Sequence, residues 1–387
     1  MNEKYLNIIL ISSSWDLNHR KGLYIPLNSL LSQWSNVVFV ENPFSLIFHT
    51  FIKFKSRFLK LIKTGRFRNS NGIFIFTPII LFHEKIWKKF RPAMVLDNYI
   101  LNYQLNKFLN LNYKGSKNIL WHCDPYNYFT TEKLKIYKRI YDYYDNFDYN
   151  ADGTINEMRK DLNEKLMIIC DLIFCTGRVM YKRSLKLNAN TYYIPNGHSI
   201  FLSDSIDDPI PEINKESEII GYIGNIRDWI DFSLIKELVN NLKKNQEVIF
   251  IGPVENNVKK NIAELKKLNG FRYFEKVEFD KVGSYIKRFA VGIIPFKLNH
   301  FTEGVLPIKF FEYLASGIQI VSTALPDLKQ FESVINISQN NTEFIEYCLN
   351  NSGYKKDTSL EIRKIIIQES KWEKRAEFMN KKVFGLK

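Results

Sequence analysis

The chain contains no run of eighteen uninterrupted apolar residues, so a membrane-crossing helix is not expected. Its first residues, MNEKYLNIILISSSWD, hold too short an apolar core for a signal peptide. Cysteine is scarce: Cys123, Cys170, Cys175 and Cys348 are the four in 387 residues. The pair closest in sequence has four residues between its members, which matches no zinc-ligand spacing and fits reduced thiols of a cytoplasmic protein. No G-x-G-x-x-G opens a helix after a strand, so a dinucleotide cofactor is not supported. Acids are outnumbered, 41 against 55 Lys and Arg, giving a net charge of +14. That excess calls for an anionic partner: nucleic acid, acidic lipid head groups or a phosphorylated substrate.

The length fits about two domains. Hydrophobic residues make up 45% of the chain, with 30 Phe and 21 Tyr, enough to bury substantial cores. Residues 6–12 predict a strand, 23–34 a helix and 37–40 a second strand. Trp15, Asp16, His19 and Arg20 stand after the first strand, where α/β sheets gather ligands. Loop chemistry, with Asp16 capping the next turn, accounts for them equally well. Residues 51–68 carry seven Lys or Arg and no acid, interleaved with aromatic and aliphatic side chains. The pattern suits an anionic membrane surface, though nucleic-acid binding and a merely solvated face use the same ingredients.

Further strands are expected at 72–77 and 118–121, the second running into His122 and Asp124. This pair either orients a sugar and assists proton transfer or is a turn aspartate before Pro125 beside a half-buried histidine. Residues 136–152 predict a helix followed by a loop. Then come a helix at 157–169, a strand at 172–175, a helix at 179–187 and a strand at 192–194. The acidic, proline-containing stretch 204–217 reads as the linker.

The second half repeats the plan, with strands at 218–223, 247–251, 271–274, 291–295 and 318–322. Helices are expected at 232–242, 258–268, 282–289 and 307–316. Alternation of this kind means a mostly parallel sheet covered on both faces. Gly224 and Arg227, in the loop GNIRDWID, either admit and pair with a phosphate or are an ordinary turn glycine and surface arginine. In PIKFFEYLASGIQIVST, Pro307 suits a first helical turn, Gly317 a left-handed cap, and Lys309 and Glu312 share one helix face. A bound anion at the helix start explains Lys309; a solvated lysine beside a dipole-satisfying glutamate does as well. Residues 359–382 predict a long helix that packs back on the first domain, anchored by Trp372.

GYIGNIRDWIDF, VGIIPF and NHFTEGVLPIKFFEYLASGIQIVST together resemble the C-terminal domain of GT-B glycosyltransferases, especially family 4 members of the teichuronic acid biosynthesis type. SSSWDLNHR, LWHCDPY, CDLIFCTG, YIPNGHS and SKWEKR are similar to their remaining motifs. The resemblance implies an α/β fold of two Rossmann-like domains with parallel sheets facing a cleft. Their expected bounds are 1–203 for the acceptor domain, 204–365 for the donor domain and 366–387 for a returning helix. It implies a nucleotide sugar, with UDP favoured, and a glycan or lipid-linked acceptor of the cell envelope. Transfer would be retaining, with no cofactor, no metal and no nucleic acid. The protein would be cytoplasmic, docked through residues 51–68 on the inner face of the membrane.

By this resemblance Glu312 would hold the donor ribose. Lys309 and Arg227 would face the diphosphate beside Gly224, Asn225 and Pro307. His122 and Asp124 would be catalytic, and Trp15, Asp16 and Arg20 would line the acceptor site. Many family 4 enzymes carry a second glutamate eight positions earlier, where this chain has Gly304. Thr302, Glu303 or the amides of Gly304 and Val305 would then contact the donor sugar. There is no Asp-x-Asp motif, in keeping with cations replacing a metal. A GT-B epimerase, a basic nucleic-acid-binding protein and an inactive scaffold are the competing readings.

Overall fold

The structure is a computed structural model that describes residues 5–18, 20–47, 61–62, 65–87, 90–131, 134–199, 216–278, 281–350 and 360–386. The first sheet is built from β1 (Tyr5–Leu10), β2 (Ser35–Val40), β3 (Phe67–Ser70), β4 (Ile73–Phe76), β5 (Lys117–His122), β6 (Lys138–Tyr143), β7 (Leu172–Cys175) and β8 (Thr191–Tyr193). Their order is β8-β7-β6-β5-β1-β2-β4-β3, and only the β3–β4 pair is antiparallel. The second sheet comprises β9 (Glu218–Ile223), β10 (Gln246–Ile251), β11 (Phe271–Phe274), β12 (Phe289–Ile294), β13 (Gln319–Thr323) and β14 (Asn336–Ser338). It is parallel throughout, in the order β11-β10-β9-β12-β13-β14.

Central strands such as VIFI, and the IIL that ends β1, are continuous apolar runs because both sheet faces are covered. The covering helices are α1 (Lys21–Leu31), α2 (Arg91–Asn112), α3 (Glu157–Ile169) and α4 (Arg178–Leu185) on the first sheet. On the second are α5 (Phe232–Asn240), α6 (Lys259–Leu265), α7 (Val282–Lys287), α8 (Ile308–Ala315), α9 (Asn341–Asn350) and α10 (Leu360–Glu369). The last helix, α11 (Trp372–Phe384), returns to pack on α1. Trp372 closes over Gly22, where a β-carbon would overlap its indole, and lies against Gly197, where a β-carbon would overlap the Ser370 carbonyl.

Register brings the carboxyl ends of three strands together, since Leu10 pairs with His122 and His122 with Tyr141. Residues just beyond β1, β5 and β6 therefore share one edge of the first sheet. In the second, Ile223 pairs with Ile251 and Ile294 with Ser322, which aligns the loops after β9, β10, β12 and β13.

Four expectations change. Residues 138–143 are a strand, not a helix: Asp142 breaks the apolar pattern, yet it is buried and bonded to Arg20 and Tyr24. The C-terminal helix is two helices, broken at Ser370–Lys371, where His198 forms a parallel bridge to Lys371. Pro307 is the N-cap of α8, with extended backbone, so the first turn starts at Ile308. Of the basic stretch 51–68, only residues 61–62 and 65–68 are described, and Phe67–Ser70 is strand. The linker at 204–217 lies outside the described residues apart from Glu216 and Ser217.

Candidate functional site

Helix α8 is pinned by its apolar face. Phe310, Phe311, Tyr313 and Leu314 are buried, and the Tyr313 hydroxyl accepts a hydrogen bond from the amide of Ile223 at 3.2 Å. With those positions turned inward, Lys309 and Glu312 share the remaining side, one turn apart. The Lys309 ammonium sits over the Tyr222 ring, 4.8 Å from its centre, and against the α-carbon of Gly224. Gly224 has φ +133° and Gly252 φ +138°; a β-carbon on Gly252 would overlap the Gly224 carbonyl. Two glycines thus keep the ends of β9 and β10 open to close approach. The Glu312 carboxyl is half-buried, and among the described residues it has no hydrogen bond or ion pair. Burial pushes its pKa up, against the opposing pull of Lys309. A carboxylate left with free acceptor capacity beside a cation and a helix start is equipped to bind hydroxyls and phosphate.

Arg227 and Asn225 lie in the loop after β9. Asn225 is exposed and its carbonyl accepts from Tyr222 at 2.7 Å. Arg227 stacks over Trp229 and pairs with Glu255 at 3.1 Å in a partly exposed contact, which leaves it exchangeable.

Much of the segment 299–306 is bonded within its own turn and to the first domain. The Thr302 hydroxyl donates to the Lys297 carbonyl at 2.6 Å and accepts from the Asn299 amide, and Thr302 is fully buried. The amides of Gly304 and Val305 donate within the same turn, to Phe301 and Thr302. Glu303 is exposed and pairs with His300 at 3.3 Å. The carbonyls of this loop face the first domain: Asn146 donates to His300 and Asn196 to Leu306, each at 2.8 Å. Asn299 donates to Ala151 at 3.2 Å, and a β-carbon on Gly177 would overlap the Gly304 carbonyl. The loop is an interdomain clasp, with the amides of Thr302, Glu303, Gly304 and Val305 engaged within it.

Across the cleft, Arg20 is no acceptor ligand. It is 3% exposed, its Nε and Nη2 donate to Asp142 at 3.1 and 2.8 Å, and its Nη1 donates to Asn196. Burial pushes the Asp142 carboxyl up, while Arg20 and the Tyr24 hydroxyl pull it back. Trp15 is also core: it packs on Phe39 and its amide donates to the buried Glu41 at 2.5 Å. Glu41 in turn takes Arg68 at 2.6 Å and the Thr77 hydroxyl at 2.7 Å, so Arg68 is committed inside the domain. Asp16 is exposed and lies 3.8 Å from Arg68; His19 lies outside the described residues.

His122 is fully buried, with the Asn127 backbone beside its ring. Burial, with help from nearby Arg139, pushes its pKa down to about 3. The ring is neutral near pH 7 and does not titrate there. Asp124 caps the turn after β5, accepting from the Tyr126 amide at 2.9 Å, with Arg159 at 3.6 Å.

A group that the sequence reading missed stands beside it. Asp145, just beyond β6, is half-buried, and among the described residues it has no hydrogen bond or ion pair through its carboxyl. Burial pushes it up to about 6 despite Arg227 of the opposite domain, Arg20 and Arg159, while Asp124 pushes the same way. The cluster YDYYD contained the signal, hidden by the helical expectation. Lys21 adds positive charge to the cleft: burial lowers its pKa, as do Lys276 from the second domain and Arg68. The described residues contain no group of three or more His, Cys, Asp or Glu able to hold a metal ion.

No family model matches the chain. Over 277 residues it is 26% identical to the "Putative teichuronic acid biosynthesis glycosyltransferase TuaH" of Bacillus subtilis, covering 68% of this chain and 69% of that protein. Among solved structures, α,α-trehalose 6-phosphate synthase from Burkholderia multivorans superposes with a TM-score of 0.68 at 9% identity, over 100% of this chain and 99% of that one. An E. coli trehalose-6-phosphate protein bound with UDP-2-fluoro glucose also gives 0.68, at 11% identity and 98% coverage of both chains. The lipopolysaccharide outer core galactosyltransferase WaaB gives 0.58 at 11% identity, over 98% of this chain and 99% of that one. The fold is that of the GT-B glycosyltransferases, as the sequence resemblance implied.

Proposed function

We infer that this chain is a glycosyltransferase that moves a sugar from a nucleoside diphosphate, UDP for preference, to a lipid-linked or surface-polysaccharide acceptor. The observation that carries the reading is the Glu312–Lys309 face of α8 under the open glycine turn at Gly224. Glu312 accepts the two ribose hydroxyls, Lys309 and the first amides of α8 meet the diphosphate, and Arg227 leaves Glu255 to join them. The name of the B. subtilis relative supports an envelope-glycan acceptor, and the UDP-2-fluoro glucose bound to the E. coli protein supports a UDP donor.

The reaction breaks the bond from the anomeric carbon to the diphosphate and forms one to an acceptor oxygen. With retention, the departing phosphate takes the acceptor proton. Protein cations neutralise the leaving charge in place of a metal. Asp145 and Asp124, on the facing sheet edge, border the space left for the transferred sugar and the acceptor. The basic stretch 51–68, mostly outside the described residues, serves as a cytoplasmic-side membrane dock.

The test is to incubate the protein with a panel of UDP- and GDP-sugars, with and without a polyprenyl-linked glycan, and to follow nucleotide release. Acceptor-dependent release and a lengthened glycan are expected. An isomerised donor formed without acceptor would overturn transfer in favour of epimerisation.

A further inference from the structure

Between Asn42 and Cys123 the sequence carries fourteen Lys and Arg but two acids, Glu84 and Asp97. Twelve of the chain's fourteen net positive charges therefore fall within about a fifth of its length. The helix at the centre of this segment is α2, and it is built unusually. Its acid, Asp97, is fully buried and accepts the Leu81 and Phe82 amides and the Trp87 indole N–H at 2.8 to 3.2 Å. Its solvent side carries apolar groups instead: Val95 is 64% exposed, Tyr103 59% and Leu111 74%, with Leu96 also exposed. Arg91, Lys107 and Lys114 are exposed alongside them. Ordinary surface helices show the reverse, with charge outward and apolar residues inward.

Exposed aliphatic residues set among cations, with no acid on the outward side, fit one kind of surface: a bilayer rich in anionic phospholipid. The apolar side chains enter the acyl boundary while the cations stay at the head groups. Nucleic acid would satisfy the charge but has no use for Val95, Leu96 and Leu111. The location also suits the chemistry. Trp87, held by Asp97, packs edge-on against Tyr126, two residues beyond Asp124 at the sheet edge. We propose that the outward side of α2 is a membrane-docking surface that seats the first domain on anionic lipid, beside the acceptor entrance. The proposal deepens the lipid-linked acceptor reading and rests on it for its purpose, while docking itself is measurable without turnover.

The test is flotation of the full chain with vesicles of phosphatidylcholine alone or mixed with phosphatidylglycerol. The parent should float with the anionic vesicles and stay behind with the neutral ones. The double variant V95E/L96E should bind anionic vesicles about tenfold more weakly. Lys236→Glu on α5 makes the same net charge change, two units more negative, in the second domain and should float like the parent. Unchanged UDP affinity in V95E/L96E would show that the fold is intact, and would keep this result separate from the nucleotide-binding reading. Equal flotation of V95E/L96E and parent overturns the proposal, as does a parent that does not float. Salt-sensitive binding to duplex RNA that outcompetes the vesicles and ignores V95E/L96E overturns it in favour of nucleic acid.

Discussion

A β-carbon on Gly224 would overlap the ammonium of Lys309, so the end of β9 and the first turn of α8 are fitted to each other without space for a side chain. Gly224 also has a positive φ of +133°, which other residues adopt only under strain. Gly224→Ala is expected to cost about 1–3 kcal/mol of stability. It should also displace Lys309 and weaken UDP binding. Thermal melting and calorimetric titration of one preparation check both effects.

Glu312 yields a prediction with a sign. Its carboxyl is raised by burial, so the folded state holds that proton more tightly than the unfolded chain. The stabilising share is complete below the usual carboxylate range and is lost as pH rises through the folded value. Glu312→Gln should therefore melt higher than the parent at pH 8, with the difference closing towards pH 4. Melting curves across that range are the measurement.

Asp145, held up to about 6, should give the rate a limb centred near pH 6 that rises as the carboxyl ionises. Asp145→Asn should abolish that limb and lower the plateau. His122, already neutral from about pH 3 upward, should contribute no limb in this range. A profile of kcat/KM from pH 5 to 8 for parent and variant decides it.

The Arg20–Asp142 pair is structural. Asp142→Ala leaves a buried guanidinium unpaired and should cost about 3–5 kcal/mol in urea unfolding. The fraction that remains folded should bind UDP like the parent, because the pair lies in the opposite domain from Glu312.

The second domain was legible because its strands are short apolar runs and its helices keep their period. Lys309 and Glu312 stand one turn apart on α8 and Gly224 directly follows β9, placements that depend only on local spacing. What escaped depends on distant partners. Trp15 and Arg20 look like ligand residues after a strand, but Arg20 is neutralised by Asp142, 122 positions away. The same pairing disguised β6 as a helix and hid Asp145 behind it. The interdomain contact of loop 299–306 was not legible because its partner Asn146, 154 positions from His300, leaves no local trace.

The most direct test is a calorimetric titration of UDP into the parent, Glu312→Ala and Lys309→Ala. The account predicts binding to the parent and a loss of about tenfold to a hundredfold in each variant, with a cooperative thermal transition retained. A parent that binds neither UDP nor GDP, or variants that bind as the parent does, would contradict it.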